Sequence, residues 1–220
     1  YTDVVMLEFA NNSEVIQILD DQFKKSNVKL LGFINSSGHT TAFLTKELSG
    51  LSDFKGKRMR GVGGYSDEAL QELGVSISFM SAAEQFVQLE TGGLDGVVTT
   101  DASYVSQDLA RVAPAELTDG VVRVPYALIM NRKAWDKLSE ENKGHVRDAV
   151  AATIAWSNEM FPKEVERLAD EVAKVVKYPY TLSNEERQTV DNISAQMLTK
   201  FAAETGDQGD RLVELYKQIQ

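Results

Sequence analysis

Residues 53–64, Asp-Phe-Lys-Gly-Lys-Arg-Met-Arg-Gly-Val-Gly-Gly, are the stretch whose reading decides the fold. They read as a tight turn, a short strand, and a glycine-rich loop that opens a helix. Arg60 sits where that strand ends. A guanidinium there faces a loop with little side-chain bulk and a helix N-terminus with free N–H groups. That combination suits a bound anion, most simply a carboxylate. The plain alternative is a surface arginine beside an ordinary turn.

Working outward, Val15, Ile16, Ile18, Leu19 and Phe23 fall at helical spacing behind a cap at Asn12 or Ser13. The apolar run VKLLGFI, 28–34, reads as a buried strand, and NSSG, 35–38, as a loop. Further strands are expected at 41–45, 58–62, 75–80 and 94–100. A helix runs from Ser66 to Gly74, and Ser81 and Glu84 form a capping box for a helix ending at Gly92 and Gly93. Another helix is expected near 102–110. A long strand follows over 121–131, bent or at an edge because Pro125 has no N–H to donate.

The last third reads as nearly all helix. Ser139 caps a stripe of Val146, Val150, Ile154 and Phe161, Pro162 should kink or restart it, and the stripe continues to about 176. That element would be roughly 50 Å long, enough to bridge two lobes. Ser183 and Glu186 form a second capping box, and a final helix covers 208–219. Strands alternating with helices predict an α/β fold with a parallel or mixed sheet.

Composition excludes several functions. The 220 residues carry a net charge of −10, which argues against nucleic acid and anionic lipid as partners but not against a local anion site. With no cysteine and only His39 and His145, neither a metal site nor thiol catalysis is expected, and no cofactor. The chain opens at Tyr1 without an initiator methionine or signal peptide, so it reads as processed, engineered or a fragment.

Gly61–Ser66 imitates a dinucleotide fingerprint, but Ser66 replaces the third glycine and the next strand ends without an acid for a ribose. Asp95 reads as a turn acid and Glu84 as a cap partner, although either could serve as a base. Tyr65, Phe79, Tyr104 and Tyr126 could line a cleft, with buried core the plainer reading of each. Thr99 closes a strand, and ligands of open α/β sheets bind at such ends. Arg60 and Thr99 are therefore expected to share one cleft, with no nucleophile–base pair beside them.

Taken in order, DFKGKRMRG, ELGVSISFMSAAEQFVQLETGGLDGVVTT and VPYALIMNRKAWDKLSEENK resemble the substrate-binding protein of tripartite ATP-independent periplasmic (TRAP) transporters, over about residues 28–165. Phe86, Gly92, Leu94, Asp95, Gly96, Trp135, Leu138, Ser139 and Glu141 fit that pattern, and Ala83 departs from it. The resemblance implies a two-lobed periplasmic-binding-protein-like fold with mixed sheets, a long lobe-spanning helix and a helical C-terminus. The lobes would be 1–37 with 125–163, and 38–124 with 164–220. They would close around a hinge on a small organic acid, delivered in the periplasm to membrane permease subunits. Arg60 matches the family's carboxylate-pairing arginine, Thr99 a polar ligand contact, and Ser81 and Ala82 the pocket lining; Gly64, Tyr65 and His39 join the expected site. Residues 37–41 hold His39 and no arginine, unlike members that take larger acids. The family's opening strand–helix–strand unit is missing, which implies N-terminal truncation, an incomplete first lobe and an edge open to paired or swapped dimers. The alternatives are an enzyme using Asp95 or Glu84 as base, and a sensor module for the same ligands.

Overall fold

The computed structural model describes residues 3–35, 39–120, 122 and 124–219. Most of the loop expected at 35–38, and Val121 and Arg123 of the strand expected at 121–131, lie outside those residues. In chain order the helices are α1 (Asp3–Ala10), α2 (Ser13–Lys24), α3 (Gly64–Glu72), α4 (Gln85–Glu90), α5 (Asp101–Ser106), α6 (Arg132–Asp136), α7 (Glu140–Val175), α8 (Asn184–Thr205) and α9 (Asp207–Gln218). The strands are β1 (Val28–Ile34), β2 (Thr40–Leu44), β3 (Arg58–Arg60), β4 (Ser76–Ser78), β5 (Gly96–Thr100), β6 (Ala115–Leu117), β7 (Tyr126–Asn131) and β8 (Tyr178–Tyr180). The chain forms two compact units. One is Tyr1–Ser36, Val124–Lys163 and Ala202–Gln220; the other is Ser37–Arg123 and Glu164–Phe201.

In the first unit β1 and β7 pair antiparallel as a two-stranded sheet. The Asn12 side chain caps α2 by accepting from the N–H groups of Glu14 and Val15, and Val15 is buried. The run 28–34 was expected to be a fully buried strand. Only Leu30 and Gly32 of β1 are buried, because a two-stranded sheet offers far less cover than a wide parallel one. A Cβ at Gly32 would come within 2.9 Å of Ile154 Cδ1 on α7, the end of a side chain that would have to shift. The outer edge of β1 is met by side chains. Asn11 accepts from Phe33 N at 2.8 Å and donates to Phe33 O at 2.9 Å, and Asp20 accepts from Leu30 N at 2.8 Å. These contacts satisfy main-chain groups that would otherwise template another strand. The strand expected at 121–131 is shorter, β7 starting only at Tyr126, after Pro125.

The second unit holds a six-stranded mixed sheet in the order β4-β3-β5-β2-β6-β8. β3 is parallel to β4 and β5, β2 is antiparallel to β5 and β6, and β6 is parallel to β8. One face packs Ala42, Leu44, Met59 and Val98 against Phe54, Leu70 of α3 and Leu182. The other packs Phe43 and Val97 against Leu89 of α4, Tyr104 of α5 and Val172 of α7. Tyr104 stacks on Phe43 with ring centroids 3.8 Å apart and donates its hydroxyl to Ala113 O at 2.9 Å. β6 and β8 escape sequence reading because three residues carry no periodicity; pairing with β2 and with each other makes them strands.

α7 runs uninterrupted for 36 residues, through Pro162, without the expected restart. A proline removes one intrahelical bond, and the buried Phe161, Leu168 and Val172 hold the turns on either side. Both capping boxes form. In the second, Glu186 accepts from Ser183 N and Oγ, from Leu51 N and from the Tyr180 hydroxyl. The Leu51 and Ser183 N–H groups lead in holding its carboxyl down at about 2. A carboxyl lowered on folding stabilises fully above its ordinary value near 4.5 and loses that contribution as pH falls through about 2. Glu186→Gln is therefore expected to cost on the order of 1 kcal/mol at pH 7 and little at pH 2, read from urea midpoints.

Candidate functional site

Three parallel strands set the site. β3 lies between β4 and β5, with Arg60 level with Ser78 on one side and Val97 on the other. Met59 is fully buried on one face, so alternation sends the Arg60 side chain to the other, the face of Val97 and Thr99. There its Nη1 donates to Val98 O at 2.9 Å and its Nε to Met80 O at 3.3 Å. Arg60 is half-buried, and that desolvation lowers its pKa from the usual arginine value, partly offset by the negative charge of Asp67. Among the described residues no carboxylate oxygen lies within 4.0 Å of it. Two main-chain carbonyls thus fix the plane of a desolvated cation while three of its five N–H donors remain for another acceptor.

The glycine-rich loop turns immediately after Arg60. Gly63 and Gly64 both have positive φ, 97° and 62°, which side chains rarely adopt, and α3 begins at Gly64 rather than at Ser66 as expected. Ser66 donates its hydroxyl to Gly63 O at 2.6 Å instead of capping the helix. The N–H groups expected to be free are partly taken, since Asp67 Oδ1 accepts from Val62 N at 2.9 Å.

The other expected residues lie as follows. Thr99 is buried, level with Thr41 on β2. Ser81 follows Met80 and is exposed, its N–H and hydroxyl both bonded to Glu84 at 2.9 and 2.7 Å. His39 precedes β2, which runs antiparallel, so it stands at the same sheet edge, beside the start of α5. Its N–H donates to the buried Asp101 carboxylate at 2.9 Å, and its ring nitrogen lies 3.6 Å from that group. Tyr65 packs edge-on against Phe201 of α8 at 5.7 Å, turned to the helix layer. Arg60, Met80–Ser81, Thr99 and His39 therefore share one sheet edge.

Asp95 is at the opposite edge. Its carboxylate accepts from Arg58 N at 2.9 Å and its N–H donates to Arg58 O at 2.7 Å, the work of a turn acid. Sequence reasoning placed Phe79 and Tyr126 with the core, yet Phe79 is 91% exposed and Tyr126 46%. β4 stops at Ser78, so Phe79 leaves the ladder just before the carbonyl that holds Arg60. An aromatic at the C-terminal end of a strand was the signal available. A cavity of about 50 Å³ lined by Val62, Leu70, Val98, Val190 and Ile193 sits on the opposite sheet face, and its apolar walls are no place for a carboxylate.

The sequence profile of bacterial extracellular solute-binding proteins, family 7 (DctP), matches residues 1–205. The chain belongs to this family. Among curated relatives, an uncharacterized protein, YiiZ, of Salmonella typhimurium is 29% identical over 144 residues, covering 62% of this chain and 43% of its own length. A solute-binding protein of Albidiferax ferrireducens is 29% identical over 95 residues, 41% of this chain and 28% of its own. The chain thus spans less than half the length of the curated relatives it matches. Solved TRAP solute-binding proteins share the two-lobed α/β fold. The ectoine-binding protein of the TeaABC TRAP transporter of Halomonas elongata superposes with a TM-score of 0.87 at 22% identity, over 100% of this chain and 72% of that one. A pyroglutamic-acid-binding receptor of Bordetella pertussis does so with a TM-score of 0.88 at 18% identity, over 98% and 71%. Among the described residues no helix is long and apolar enough to cross a membrane.

Proposed function

We propose that this chain is part of an extracytoplasmic TRAP solute-binding protein that captures a small organic acid, with Arg60 clamping its carboxylate. The observation that carries this is the half-buried Arg60 guanidinium, anchored on Val98 O and Met80 O with no carboxylate within 4.0 Å among the described residues. A desolvated cation with donors to spare is an anion receptor. Thr99, Ser81, Gly64, Tyr65 and His39 are the further contacts we propose, and the exposed Phe79 ring joins them. A periplasmic location and delivery to permease subunits belong to the same reading, supported by family membership. So does hinge closure of two lobes, 1–37 with 125–163 and 38–124 with 164–201; residues 202–220, expected with the second lobe, group with the first unit. Binding without turnover is supported by the acids a reaction would need, since Glu84 serves its capping box and Asp95 its turn. An edge-paired dimer would use β7, which pairs only with β1 among the described residues and exposes Tyr126 and Ile129; sedimentation across a concentration series tests it.

The test of binding is a thermal-shift panel of organic acids, sugars and amines. At least one acid is expected to raise the midpoint by roughly 5 °C at a hundredfold excess over Kd. A response to neutral or cationic compounds alone would sink the reading.

A further inference from the structure

Asp67 stands in the first turn of α3, and its carboxylate folds back over the loop that follows Arg60. Its Oδ1 accepts from Val62 N at 2.9 Å, and a Cβ added at Gly61 would collide with it. It is the carboxylate whose field acts on Arg60. No neighbouring cation reinforces Arg60 on its strand. Arg58, two residues back on the same strand face, donates to Gly92 O at 2.7 Å and lies 3.7 Å from the Asp95 carboxylate. On the loop side, the Asp67 carboxylate opposes the Arg60 charge before any acid arrives. A first ligand carboxylate has the three remaining Arg60 donors. A second would meet Asp67 at a loop N–H that Asp67 already occupies, in surroundings partly shielded from water.

We propose that Asp67 is a specificity-determining residue, a fixed negative charge that makes the Arg60 site accept compact monocarboxylates and reject dicarboxylates. This rests on the carboxylate-binding reading above.

Asp67→Asn removes the charge and keeps an oxygen for Val62 N–H. Calorimetry with lactate and pyroglutamate against malonate and succinate, on wild type, D67N and R60A, tests it. Wild type is expected to prefer the monocarboxylates, and D67N to shrink that preference by about tenfold. An unchanged preference in D67N, or parallel weakening of all four acids, overturns the proposal and leaves Asp67 a purely structural group. R60A separates the two readings. If R60A loses every acid while D67N keeps the wild-type preference, only the selectivity fails. If R60A binds as wild type does, or if no acid binds wild type or D67N, the carboxylate reading fails and takes the selectivity with it.

Discussion

Arg60→Ala is expected to abolish carboxylate binding, weakening it by at least about 100-fold in calorimetry, while the circular dichroism spectrum stays that of wild type. Charge-assisted hydrogen bonds contribute about 1.5–3 kcal/mol each, and a carboxylate on the free side of the guanidinium takes two. Loss of both exceeds the roughly 1.4 kcal/mol that each tenfold in affinity represents. The fold should survive because the residue's two internal bonds end on the Val98 and Met80 carbonyls, and truncating this half-buried side chain opens a path for water to replace it on them. Arg60→Lys keeps the charge but cannot hold Val98 O, Met80 O and a ligand in one plane, so it too should lose more than about tenfold. Undiminished affinity in the alanine variant would remove Arg60 from the site.

Glu116→Gln is expected to make the protein more stable at pH 8 by about 2 kcal/mol and to change little at pH 5. Glu116 lies on β6, level with Phe43 on one side and Pro179 on the other. Burial, reinforced by the charge of Asp101, pushes its carboxyl up to about 7. A group whose pKa is raised on folding favours the native state fully below its ordinary value, near 4.5 here. That contribution is lost as pH rises through about 7. Asp101, itself raised chiefly by burial, acts in the same direction. Wild type should therefore lose stability between pH 5 and 8, and the glutamine variant should lose less. Parallel denaturant midpoints for the two proteins across that range would show that Glu116 titrates like an exposed acid.

Much of the framework was legible because it is written locally. Asn12, Ser81 with Glu84, and Ser183 with Glu186 act within three residues of themselves, and all cap as their spacing predicts. VKLLGFI is a strand over its whole length. What misled was also local. VSISFM looks like six residues of strand, yet only Ser76–Ser78 pair, and Phe79 is released to solvent. Pro162 signals a break that the packing of α7 overrides.

By itself the sequence determined most of the strands and helices and their caps, that Arg60 ends a strand ahead of a glycine turn, and the family to which the chain belongs. Only the tertiary structure decided what Arg60 meets. Met80 and Val98 are 20 and 38 residues away, and they converge on it because β3 is sandwiched between β4 and β5. It also decided that Asp67 turns back to the loop and that Glu116 is half-buried within the field of Asp101. The physical reason is range. Caps, glycine dihedrals and alternation depend on neighbours along the chain, whereas the desolvation and charge environment of a side chain depend on strand order, which is set by burying both faces of one sheet.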